Sequence, residues 1–298
     1  MSDTTADLLL QELLHVFRTT ICTAPGETVR ADLFQREAGR RLLPKWGGFG
    51  AAAAAWLALE DHRGNPWHGR DDLLQFAFAA ADRLLVDHAA LGGPGRAGRK
   101  PNHFTIYPLA QLYTLAAEQA GAARRARWRE LMARNLRRVA ETIDRTWPTL
   151  GRPGPFAGTG PNHLFGWIAI GLAQAVVLED DRLARRCEAA MLRHLKIQAP
   201  GGYFPEHDGP VVLYHCVSLE GVSEFFRHRP LPVVARALER GVDFYLRAIY
   251  PDLTGIETFD ERNRGVHATT PVGAFAWTPA GRRLLRLIVE RRHAARGA

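Results

Sequence analysis

The sequence predicts an all-α protein of repeated helical hairpins, an α/α toroid or an open arc of one. Two kinds of helical segment alternate along the chain, one apolar on a single face and one apolar on nearly every side. The second kind recurs at roughly 50–60 residue intervals, the period of a stacked supersecondary unit. No sustained run shows the period-two alternation of a half-buried strand.

Taken in order, TADLLLQELLHVFRTTI (5–21) is the first amphipathic segment, followed by the Gly-rich WGGFG (46–50) and the all-round apolar FGAAAAAWLALE (49–60). DDLLQFAFAAADRLLVDHAAL (71–91) has one solvated face and gives way to the loop GGPGRAGRKPNH (92–103). FTIYPLAQLYTLAAE (104–118) is again an inner type, and ARRARWRELMARNLRRVAETIDRTW (123–147) an outer one. The pattern repeats after GRPGPFAGTGPNH (151–163), with LFGWIAIGLAQAVVLE (164–179) inside and DDRLARRCEAAMLRHLKI (180–197) outside. A last pair, LYHCVSLEGVSEFF (213–226) and LPVVARALERGVDFYLRAIY (231–250), follows PGGYFPEHDGP (200–210). Pro101-Asn102-His103 precedes one inner helix and Pro161-Asn162-His163 the next, which supports a repeat. A plain α-solenoid is the competing architecture. No linker composition or low-complexity tail breaks the chain, so one domain over 1–298 is expected. The long Gly/Pro-rich loops all precede inner helices, and loops gathered on one rim of a rigid scaffold commonly carry function.

Lys and Arg outnumber Asp and Glu by 39 to 31, giving a net charge of +8 that suits an anionic partner. The excess is nearly all arginine in an Ala-, Gly- and Leu-rich chain, so compositional habit explains it equally well. Seven arginines crowd the segment 124–138; such a run is usually a solvated outer face, and we do not expect nucleic acid as the partner. Cys22, Cys187 and Cys216 are too scattered for a disulfide framework or a zinc site, which points to a reduced compartment. The N-terminal MSDTTADLLLQELLHVF carries acids where a secretory signal needs a basic flank, and no stretch has membrane-spanning length. The expectation is a cytoplasmic protein without a membrane partner.

The segment 161–226 carries the chemistry. PNHLFGW (161–167) and LYHCVSLEG (213–221) each begin an apolar helix with polar groups, so four such groups sit where they could converge. Asn162 alone suits a helix cap, and His163 alone a satisfied core histidine. Together, an amide donor beside an imidazole suits binding a carboxylate while placing a base. Tyr214 and His215 are adjacent and point to different sides of their helix, so at most one is the central chemical group and the other shapes the wall. Glu206, His207 and Asp208 form a polar cluster in the preceding turn, as substrate contacts or turn formers. FDERNRGVHATTP (259–271) supplies Arg262, Arg264 and His267, and guanidinium forks match carboxylates; a solvated loop is the plain alternative. His163 and His215 are too sparse a set for a metal site, and no cofactor is expected.

At these residues the chain resembles the α/α-toroid polysaccharide lyases, in particular the mannuronate-specific alginate lyases and, more loosely, the heparinase II/III-like group. PNHLFGW, GGYFPEH (201–207) and LYHCVSLEG follow the order and similar spacing of that family's Asn-Asn-His-aromatic-Trp stretch, its Asp-Gly-(aromatic or Leu)-Pro-(Asn/Glu)-Glu-like turn and its Ala-Tyr-His with an apolar helix, over about 65 residues. The resemblance implies cleavage of a uronic-acid-containing glycan by β-elimination. Asn162 would help neutralise the uronate carboxylate, His163 would be base or second neutraliser, and Tyr214 the proton-transferring phenol. His103, Trp167, Glu206, His207, His215, Arg262 and Arg264 would contact the acidic oligosaccharide or polysaccharide. Pro161 stands where the family has a first Asn, and the arginine expected shortly before the Tyr is absent from His207-Asp208-Gly209-Pro210.

Two other functions fit the composition. A glycoside hydrolase on the same scaffold would use two carboxylates flanking the bond, drawn from Glu206, Asp208, Asp260 and Glu261. A helical-repeat scaffold without catalysis would bind an acidic polymer through its arginines. A terpene cyclase is remote, because Asp71-Asp72 and Asp180-Asp181 lack a metal-binding context.

Overall fold

A computed structural model describes residues 3–20, 47–91, 103–146, 161–206, 209–253 and 272–297. Eleven α-helices occupy them: α1 (Asp3–Thr20), α2 (Gly47–Leu59), α3 (Asp71–Leu91), α4 (His103–Ala116), α5 (Ala122–Thr146), α6 (Pro161–Leu178), α7 (Asp181–His194), α8 (Val212–His228), α9 (Pro232–Arg247), α10 (Val272–Trp277) and α11 (Pro279–Gly297). A 3-10 turn, Leu195–Ile197, extends α7. Among the described residues there is no strand, only an isolated bridge between Glu206 and Gly209. The all-α expectation holds, and the first nine helices lie close to the segments read from periodicity. The short apolar α10 and the C-terminal helix α11 were not anticipated as helices.

Contacts divide the chain into two compact units, Ser2–Arg137 and Arg138–Ala298, with the division inside α5. In the first, α2 packs on both α3 and α4, and Ala51, Ala54, Ala55, Ala58 and Leu57 are almost wholly buried. Asp82 of α3 accepts from Trp128 Nε1 at 2.7 Å and pairs with Arg124 and Arg127 at 3.1 and 2.7 Å, which anchors the outer helix α5.

In the second unit α6 packs most extensively on α8, and α7 lies on α6. The α6–α7 reversal takes two residues: Glu179 adopts a left-handed φ of 60°, and Asp180 caps α7 by accepting from Leu183 N at 3.0 Å. Pro232 opens α9, where its missing N–H costs nothing. Phe165, Phe204, Phe225 and Phe275 are fully buried in this unit, each burial stabilising by roughly 2 kcal/mol. Gly221 sets the α6–α8 spacing, since a Cβ there would lie 2.7 Å from the Phe165 carbonyl carbon and 2.9 Å from Gly166 N. Among the described residues no helix is long and apolar enough to cross a membrane.

Candidate active site

The site is assembled at the beginnings of α6 and α8 by the turn that leads into α8. Gln198 ties this turn to α9: its Nε2 donates to Gly202 O at 2.8 Å and Ala237 O at 2.9 Å, and Arg240 donates to its Oε1. Gly202 is required there twice over, by a φ of +96° and because a Cβ would sit 2.2 Å from Arg240 O. The turn then presents Phe204 to Phe165 of α6, ring centroids 4.7 Å apart, and brings Glu206 to Asn162.

Asn162 is the second residue of α6, after Pro161, and is 2% exposed. Its amide does not cap its own helix from outside; Nδ2 donates to Glu206 Oε2 at 3.1 Å, and Glu206 is itself only 6% exposed. One of the two amide hydrogens is thus committed, leaving one donor and the carbonyl for a ligand. His163, the next residue, is exposed, and Trp167 one turn later is half-buried on the same side of α6.

Tyr214 is half-buried near the start of α8. It precedes Gly221 by seven residues, two helical turns, so both lie on one side of α8, and Gly221 meets Phe165 and Gly166. On α6, Asn162 lies one turn before Gly166 and shares its side. The amide and the phenol therefore arise from the facing sides of two packed helices, at the ends joined by the Glu206 turn.

His215 is the corrected member of the predicted set. It is 0% exposed, its Nδ1 accepts from Phe204 N at 3.1 Å, and Nε2 lies 2.9 Å from Gly241 O. An Nδ1 that accepts carries no proton, so Nε2 donates to Gly241. The imidazole is a strut between turn, α8 and α9, not a substrate contact. Of the other predicted residues, His103 opens α4 in the first unit. His207, Arg262 and Arg264 lie outside the described residues, as do Asp208, Asp260, Glu261 and His267.

Acid weakens this strut. Burial holds His215 down to about 4, partly offset by Gly241, and burial with the nearby Arg193 holds His194, edge-on to Phe165, down to about 4. Both lie below the ordinary 6.5, so the stability that depends on their neutral forms is complete above 6.5 and lost as pH falls toward 4. By about pH 5 each costs roughly 2 kcal/mol. Urea midpoints should fall markedly between about pH 7 and pH 5, and His194→Leu should remove about half of the fall. An unchanged midpoint would contradict the assignment.

One acid outside the predicted set has a shifted pKa. Glu220 is exposed at the surface, and desolvation by the surrounding protein pushes its carboxyl up to about 7. The backbone N–H groups of Gly273 and Val272 and the Ser223 hydroxyl act the other way, and Glu224 adds repulsion. The signal was a lone acid in the apolar stretch LYHCVSLEG.

No family model matches the chain, and no curated protein does. Two solved structures are similar. A Streptomyces coelicolor A3 chondroitin AC lyase in complex with chondroitin sulphate superposes with a TM-score of 0.58 at 16% identity, over 95% of this chain and 41% of that one. A tyrosine-to-alanine mutant of the same enzyme gives 0.54 at 14% identity, with the same coverage. The likeness is one of fold, the α/α toroid of a polysaccharide lyase, and specifies no family within it. The chain spans about two fifths of that lyase's length.

Proposed function

We propose that this chain is a lyase that cleaves a uronic-acid-containing glycan by β-elimination, with Asn162, His163 and Tyr214 as the reacting centre. The supporting observation is the pairing of Asn162 with Glu206 at the turn that starts the helix of Tyr214, on the sides where α6 and α8 face each other.

In the reaction a base removes the proton on the carbon beside the uronate carboxylate. The electron pair forms a carbon–carbon double bond, the glycosidic C–O bond breaks, and the departing oxygen takes a proton. Asn162, oriented by Glu206, gives its remaining N–H to the carboxylate as charge builds there; a preorganised donor of this kind is worth about 3 kcal/mol. His163 or the ionised Tyr214 takes the proton, and Tyr214 returns one to the leaving oxygen. Imidazole suits the first step near neutrality, since a phenol ordinarily ionises near 10. Arg262 or Arg264 would supply the cation that this charge calls for.

A panel of mannuronate, guluronate, glucuronate and galacturonate oligosaccharides tests the reading. Elimination creates an unsaturated uronate absorbing near about 230 nm, whereas hydrolysis creates reducing ends without it. We expect ultraviolet-absorbing product from at least one member. Reducing ends without absorbance would install the hydrolase instead.

A further inference from the structure

We propose that the surface formed by Trp277 and the first turns of α11 is a second glycan-binding site, taking acidic sugar units of a long chain away from the reacting centre. It rests on the lyase reading for its class of ligand, and on four observations for its existence.

Trp277 is 47% exposed, at the end of the six-residue α10. Its ring meets Phe226 edge-on with centroids 5.3 Å apart, so the indole is held in place while nearly half of it faces water. A large exposed aromatic costs solubility without stabilising the fold, and its flat face suits the apolar face of a pyranose. Arg282 donates from one guanidinium nitrogen to Ala276 O at 3.1 Å, which fixes its fork beside the Trp277 backbone and commits one of five N–H donors.

The placement of charge is the second line. α11 carries six arginines against one glutamate, and its first turn holds Arg282 but no acid. Cations are disfavoured by the positive end of a helix dipole, so Arg282, followed by Arg283, sits against local preference. Residues that break a local rule on a surface point to a role outside folding. Arg282 and Arg283 are both exposed, while Arg286, one turn beyond them on the same helix, is exposed but paired with Glu290 at 2.7 Å. Guanidinium forks pair bidentately with carboxylate or sulfate, and a neighbouring aromatic supplies the stacking that distinguishes a sugar from a bare anion.

Distance makes the site separate. Phe226 stands twelve residues after Tyr214 on α8, about 18 Å along the helix axis. A disaccharide at the reacting centre does not span that length, whereas a dodecasaccharide does, and the gain in affinity then comes from the second contact.

Titration calorimetry on the Tyr214→Phe background, which slows turnover, tests this with a uronate disaccharide and dodecasaccharide of the sugar that the intact protein cleaves. If no sugar is cleaved, hyaluronan and polymannuronate fragments serve. The double variant Trp277→Ala/Arg282→Ala should bind the dodecasaccharide about tenfold more weakly and the disaccharide unchanged, and Trp277→Phe should restore most of the loss. Equal dodecasaccharide affinity with and without the two side chains overturns the site. So does an equal loss for both lengths, or tighter binding of oligo-dT than of the glycan. Length-dependent loss without unsaturated product from any uronate would uphold the surface and sink the lyase; product with unaltered affinity would do the reverse.

Discussion

Tyr214→Phe is expected to lower kcat for elimination about a thousandfold while leaving KM within a few-fold. The substitution removes one oxygen and keeps the half-buried ring, so the packing of that ring survives. What is lost is the proton donor for the departing oxygen, and positioned proton transfer typically contributes 10²–10⁴-fold. The loss corresponds to about 4 kcal/mol of barrier. Initial rates of unsaturated-product formation give kcat, and an unchanged melting temperature shows that the ring's packing role persists. A variant within tenfold of the intact protein would remove Tyr214 from the mechanism. His163→Gln then divides the remaining choice. A collapse of rate at neutral pH that recovers as the medium becomes alkaline makes the imidazole the base; a rate close to that of the intact protein leaves proton removal to Tyr214.

The helical hairpins were legible because their physics is local. An amphipathic face and an all-round apolar helix are written in the order of residues, and α3 matches its expected span from Asp71 to Leu91. The miss at α10 and α11 has a local cause. GRRLLRLIVERRHAARG carries Leu284, Leu285, Ile288 and Val289 at helical spacing, all buried, but dense arginines obscure the stripe. The site was legible only in part, for a non-local reason. Adjacent Tyr214 and His215 look equivalent in sequence, and what separates them is hydrogen bonding to partners 11 and 26 residues away. Asn162 likewise looked like a cap because its partner Glu206 lies 44 residues on.

The lyase reading thus depends on how closely two helices approach, and Gly221 is where that can be tested. Gly221→Ala is expected to destabilise the protein by about 1–3 kcal/mol, and Gly221→Val by more. The new Cβ would stand 2.7 Å from the Phe165 carbonyl carbon, 2.9 Å from Gly166 N and 2.9 Å from Phe165 Cβ. Two of these three are backbone atoms, so no side chain can swing aside, and α6 and α8 must separate. Alanine's better helix propensity returns about 1 kcal/mol, which is too little to cancel such overpacking. Separation would also move Asn162 relative to the Glu206 turn and Tyr214, and a misplacement of about 1 Å can cost about a hundredfold in rate. Urea unfolding should therefore show a lowered midpoint, and kcat should fall at temperatures where the variant is still folded. Gly209→Ala is the control, because nothing lies within 4 Å of a Cβ there. A Gly221→Ala protein that is as stable and as active as its parent would mean that the helix crossing is looser than 2.7 Å implies, and the amide and phenol would lose the shared wall on which the proposed chemistry stands.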